Sequence, residues 1–107
     1  MRLPPLHGLD LDRTLHDAAG PVLLVITRPG CGACRAVKAA LADVEPIEGL
    51  TAYEVDATDA PALVEELSLS HLPALWILVG GEPVTEVPAS PAAPRLAHAL
   101  QAAIAGP

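Results

Sequence analysis

The stretch from residue 21 to residue 44 narrows the fold more than any other part of the chain. Val22-Leu23-Leu24-Val25-Ile26 is an unbroken aliphatic and β-branched run, the pattern of a short strand covered on both faces. Thr27-Arg28-Pro29-Gly30 breaks that run and turns the chain. Beyond the turn, Cys34, Val37, Leu41 and Val44 recur at intervals of 3, 4 and 3, which makes one inward stripe on a helix. The chain's 2 cysteines, Cys31 and Cys34, stand where the strand hands over to the helix.

That placement has chemical content. The first N–H groups of a helix lack internal partners and attract negative charge. Cys31 falls at this terminus and is expected to be the presented sulfur. Cys34, one turn on, begins the inward stripe and is expected to be sheltered. A strand that delivers Cys-x-x-Cys to a helix start suits dithiol/disulfide exchange. Two inert core thiols, or half of a metal site, are the competing readings. A structural zinc site takes four ligands, and this chain offers 2 cysteines and 4 scattered histidines, so no metal site is expected.

Charge is distributed in keeping with this. Residues 18–42 hold no Asp or Glu, yet they carry Arg28, Arg35 and Lys38, half of the chain's 6 Lys and Arg. Arg28 and Arg35, with the backbone of Gly32 and Ala33, are candidates for tuning a Cys31 thiolate, which the sequence predicts to be more acidic than a free cysteine. Simple solvation of a helix face is the plainer alternative for the cations. The formal charge of −7 over 107 residues disfavours nucleic acid and acidic membranes as partners. Met1 to His7 shows no apolar core of a secretory signal, and the apolar runs are too short to span a bilayer. A cytoplasmic protein is expected, with cysteines serving redox chemistry rather than as a staple.

The remaining elements follow from pattern and punctuation. Residues 1–8 read as an extended arm and 9–107 as one domain. Asp10 is expected to cap a first helix with Leu11 and Leu15 facing in. Leu50 to Val55 reads as a strand near an edge, with Glu54 solvated inside it. Asp59 is expected to cap a third helix begun by Pro61. Ala74 to Val79 is a second apolar strand, with Trp76 filling core. Gly80-Gly81 turns it into an edge strand that starts at Pro83. Ser90 and Pro91 are expected to open the last helix, with Leu96, Leu100 and Ile104 inside. The order suggests an α/β sandwich with parallel crossovers first and an antiparallel hairpin last.

On these residues the chain resembles the thioredoxin family. The likeness rests on Cys31-Gly32-Ala33-Cys34 at a strand-to-helix junction, Leu72-Pro73 before a buried strand, the Gly80-Gly81 hairpin and the closing helix. It implies a three-layer α/β/α sandwich around a central mixed sheet of about four strands. It also implies that Cys31 attacks, that Cys34 resolves, and that Pro73 is a cis proline. Gly30, Leu72 and Pro73 would then lie along the bound substrate. The chain departs from the family pattern in four places. Gly30 replaces the usual aromatic before the first cysteine, and Val25 replaces a frequent buried acid. Gly-Ala replaces Gly-Pro between the cysteines, and Val87-Pro88-Ala89-Ser90 lacks a common glycine.

The resemblance implies a thiol–disulfide oxidoreductase without a bound cofactor, serving electron transport and cell redox homeostasis. Its partners would be a disulfide-containing protein or small molecule and a dithiol donor. The alternatives are a non-catalytic binding module, or redox sensor, on the same fold and, less favoured, a glutathione-dependent enzyme of glutaredoxin type.

Overall fold

The computed structural model describes residues 1–106. Helix α1 (Gly8–Asp17) leads into strand β1 (Val22–Thr27), helix α2 (Gly32–Ala42) and strand β2 (Thr51–Asp56). A 3-10 turn (Ala57–Asp59) and the short helix α3 (Pro61–Glu66) precede the hairpin of β3 (Ala74–Val79) and β4 (Glu82–Val87). Helix α4 (Ala93–Ala105) closes the fold.

The four strands make one sheet in the order β2-β1-β3-β4. Every residue of β1 is buried, as expected for a strand covered on both faces. Its side chains alternate between two apolar clusters. Val22, Leu24 and Ile26 pack with Leu11 and Leu15 of α1 and Leu63 of α3. Leu23 and Val25 pack with Val37 and Leu41 of α2 and with Leu96 and Leu100 of α4. The molecule is therefore the expected three-layer α/β/α sandwich with a mixed sheet. Full burial of each such aliphatic side chain contributes about 1.5–3 kcal/mol.

Pairing corrects one expectation. β1 and β2 are parallel, but β3 runs antiparallel to β1, so only the first crossover returns the chain to its starting end. The two connecting helices differ in length, α2 being 11 residues and α3 only 6. A six-residue helix advances about 9 Å, less than half of a strand of about 20 Å. The next strand starts from the end where β2 stopped. The β3–β4 turn uses Gly80 and Gly81 at φ 59° and 85°, the two positive values that a tight hairpin of this kind demands.

The helix starts correct three more expectations. Asp10 lies inside the first turn of α1, whose N-cap is His7. Asp59 does not cap α3, whose N-cap Ala60 carries no side-chain bond. It accepts from the Gly8 N–H at 2.7 Å instead, and so serves α1 across the chain. Ser90 accepts from Ala92 N at 3.1 Å in a local turn, and α4 begins at Ala93 with Pro94 in its first positions. Trp76 is half-buried against the α1 and α3 cluster, and its buried Nε1 has no partner among the described residues.

The extended arm docks on the edge of the sheet. Leu6 N donates to Glu54 O at 2.8 Å, and Glu54 N donates to Pro4 O at 2.9 Å. Pro5 forms an isolated parallel bridge with Glu54, and Leu6 is buried. Proline is tolerated there because only one side of the arm pairs.

Candidate active site

The site lies where the C-terminal end of β1 meets α2. Thr27 pairs with Asp56 of β2 on one flank, and Ile26 pairs with Ala74 of β3 on the other. Between them, Arg28, Pro29 and Gly30 are exposed. Gly30 has φ 74°, and a Cβ there would meet nothing within 4 Å. Backbone conformation, not space, is what calls for glycine at this position.

Cys31 is the N-cap of α2, and Cys34 lies one turn inside. The two form a disulfide with their Cα atoms 5.2 Å apart. Cys34 N donates to Cys31 Sγ at 3.1 Å, so an otherwise unpaired helix N–H points at the first sulfur. Arg35 N donates to Cys31 O at 3.1 Å.

The expected contrast between a presented and a sheltered sulfur is too strong. Cys31 is 5% exposed and Cys34 2%, so both are buried. Both line an open cleft of about 610 Å³ on the β2 flank. The arm forms part of its wall through Pro5, Leu6 and His7, a covering that local spacing cannot report.

The cleft gathers Arg28, Gly30, Cys31, Cys34 and Arg35 from the candidate residues. Gly32 and Ala33 are exposed in the first turn of α2, and the Arg35 guanidinium folds back to 3.7 Å from where a Gly32 Cβ would stand. Leu72 and Pro73 are on the other flank: Pro73 is buried, and the Leu72–Pro73 bond is cis. They border two smaller hollows of about 250 and 260 Å³, and neither hollow is lined by a cysteine.

Glu54 departs from expectation. It is not solvated but spans the elements around the cleft. Its Oε1 lies 2.9 Å from Lys38 Nζ, with side-chain exposures of 41% for Lys38 and 22% for Glu54. Its Oε2 accepts from the hydroxyl of buried Thr27 at 2.7 Å. Lys38 thus turns toward the sheet edge. The only hint in the sequence is an acid inside a strand, since its partner Thr27 lies 27 positions away. At Val25, opposite Glu54 in the strand register, the surroundings are aliphatic.

The other carboxylates of the cleft are also engaged. Asp56 Oδ1 accepts from the Thr58 hydroxyl at 2.7 Å and the Thr58 N–H at 2.9 Å. These two bonds, the hydroxyl first, hold its carboxyl below the ordinary aspartate value. No group of three or more His, Cys, Asp or Glu side chains among the described residues is arranged to hold a metal. Nor is any described helix long and apolar enough to cross a membrane.

A search among curated proteins returns no match. The thioredoxin family model matches residues 5–102, from the docked arm into α4. That span takes in the four-stranded sheet and the Cys31–Cys34 junction, and the chain belongs to the thioredoxin family.

Proposed function

We propose that Cys31 and Cys34 carry a thiol–disulfide exchange with a protein or small-molecule disulfide, in a reducing compartment such as the cytoplasm. One observation carries this reading: the two sulfurs are bonded at a helix N-terminus, with a backbone N–H aimed at Cys31 Sγ, inside a cleft open to solvent.

The reduced pair would act in two steps. The Cys31 thiolate attacks one substrate sulfur; the substrate S–S bond breaks, and one thiolate leaves. Cys34, losing its proton, then attacks Cys31 Sγ in the mixed disulfide and expels the second thiolate. Two electrons and two protons pass from the dithiol to the substrate, and a thiol or dithiol donor restores the pair by the reverse chemistry. The N–H that meets Cys31 Sγ, the helix terminus and Arg35 all favour the Cys31 thiolate. Leu72 and Pro73 would line a protein substrate from the β3 flank.

Reduction of insulin or of a small aromatic disulfide tests the reading. Turnover that disappears in Cys31→Ser, and a mixed disulfide that accumulates in Cys34→Ser, are the expected results. The near burial of both sulfurs favours a second reading, a binding module with a passive redox pair. Tight partner binding by a cysteine-free variant, with no turnover from any donor, would select it.

A further inference from the structure

The cleft beside the disulfide has an imbalance of charge partners. Its three carboxylates are already engaged. Glu54 pairs with Lys38 and Thr27, Asp56 with Thr58, and Asp59 with the Gly8 N–H. Lys38 is held by Glu54. Arg28 and Arg35, which also line the cleft, have no ion-pair partner among the described residues. Two guanidiniums thus share the cleft with Cys31, their forked donors free of any ion-pair partner among the described residues.

Size and surface narrow the ligand further. A cleft of about 610 Å³ lies within the range of small-molecule sites. Pro5, Leu6 and Pro29 offer an apolar lining for a short carbon skeleton. The disulfide opens to this flank, and the hollows beside Pro73 do not reach it.

We propose that the cleft on the β2 flank binds a small aliphatic thiol or disulfide bearing a carboxylate, which Arg28 and Arg35 hold beside Cys31. This rests on the exchange chemistry proposed above and names the substrate class of the same site. In the reductive direction the anionic thiolate attacks Cys31 Sγ, and the Cys31–Cys34 bond breaks. Cys34 leaves as a thiolate and takes a proton from water, leaving the small thiol bonded to Cys31. A second thiol of the same class attacks its sulfur in that mixed disulfide. The small disulfide is released, and the Cys31 thiolate takes up the second proton.

The test compares three thiols of similar size: 3-mercaptopropionate, 2-mercaptoethanol and cysteamine. Disulfide opening is followed by acid quench and mass spectrometry, and rate constants are expressed per thiolate. The chain as a whole carries −7 and repels an anion. A preference for the anionic thiol therefore has to arise locally. We expect 3-mercaptopropionate to react about five- to tenfold faster than 2-mercaptoethanol, with cysteamine slowest. The ratio should fall toward one in Arg28→Gln/Arg35→Gln and at high salt, and persist in Arg95→Gln on α4. Taking the ratio within each variant cancels any general change in Cys31 reactivity. A ratio near one in the native chain, or one that survives the double substitution, overturns the proposal while leaving exchange intact. Failure of all three thiols to open the disulfide overturns both.

Discussion

The two flanks of the Cys31–Cys34 junction are built on different principles. On the β2 flank, polar groups from the arm, β1, α2 and β2 meet in a charged cleft that reaches both sulfurs. On the β3 flank, Pro73 is buried, Leu72 is half-buried, and the hollows stop short of the cysteines. The same contrast recurs one layer down. Val25 and Glu54 are partners in the β1–β2 register, yet one sits in an aliphatic cluster and the other ties three elements together. The central strand thus carries no acid at Val25, while the neighbouring register position carries one that ties structure together around the cleft.

Several substitutions sharpen or break this contrast. The largest effect is expected from Cys31→Ser, which should reduce exchange with both small and protein disulfides to background; loss with only one class would mean that the flanks act independently. Next comes Val25→Asp. An acid placed among Val37, Leu41 and Leu75 has no partner, and its cost should be about 2–5 kcal/mol at neutral pH. Burial raises the pKa of such a carboxyl above its unfolded value, so the penalty applies above the folded value and fades as pH falls through it. Urea midpoints at pH 7 and pH 4 check both size and direction. Gly30→Ala should cost about 1 kcal/mol because its backbone lies at φ 74°, with no clash to add to the strain.

On the other side of the comparison, Thr27→Val should destabilise by about 1 kcal/mol, since it removes a single hydrogen bond to Glu54. Glu54→Gln releases Lys38 into the cleft, and the anionic-thiol preference should then rise above that of the native chain. A preference that falls would mean that Lys38 needs Glu54 to be in place. The smallest effect concerns Asp56, whose carboxyl is held down by Thr58. Its hydrogen bonds stabilise the fold above the unfolded aspartate pKa and are lost as pH falls through the folded value. The Thr58 amide resonance should report that transition below the ordinary aspartate range, and Asp56→Asn should remove it.

The sequence made the scaffold legible wherever burial is two-sided or periodic. β1 and β3 are apolar throughout, α2 carries its stripe, and paired glycines mark the hairpin; each signal is local and strong. It misplaced groups whose partners are remote in sequence. Asp59 looked like the cap of α3 but caps nothing there, because Gly8, 51 residues away, takes its oxygen. Glu54 looked solvated because Lys38 and Thr27 come from other elements. Cys31 looked presented because its helix position was readable and the arm walling the cleft was not. The junction itself is legible because two cysteines at a helix start constrain each other through neighbours only.

Glu54 is a rivet through several layers at once. Its main chain grips the arm on both sides, while its carboxylate reaches α2 and β1. Strand parity sets which face it points to. Deleting a single residue from the first half of β2 would swing that carboxylate to the opposite face. The outer wall, the helix and the central strand would come undone together, even though no cysteine had been touched.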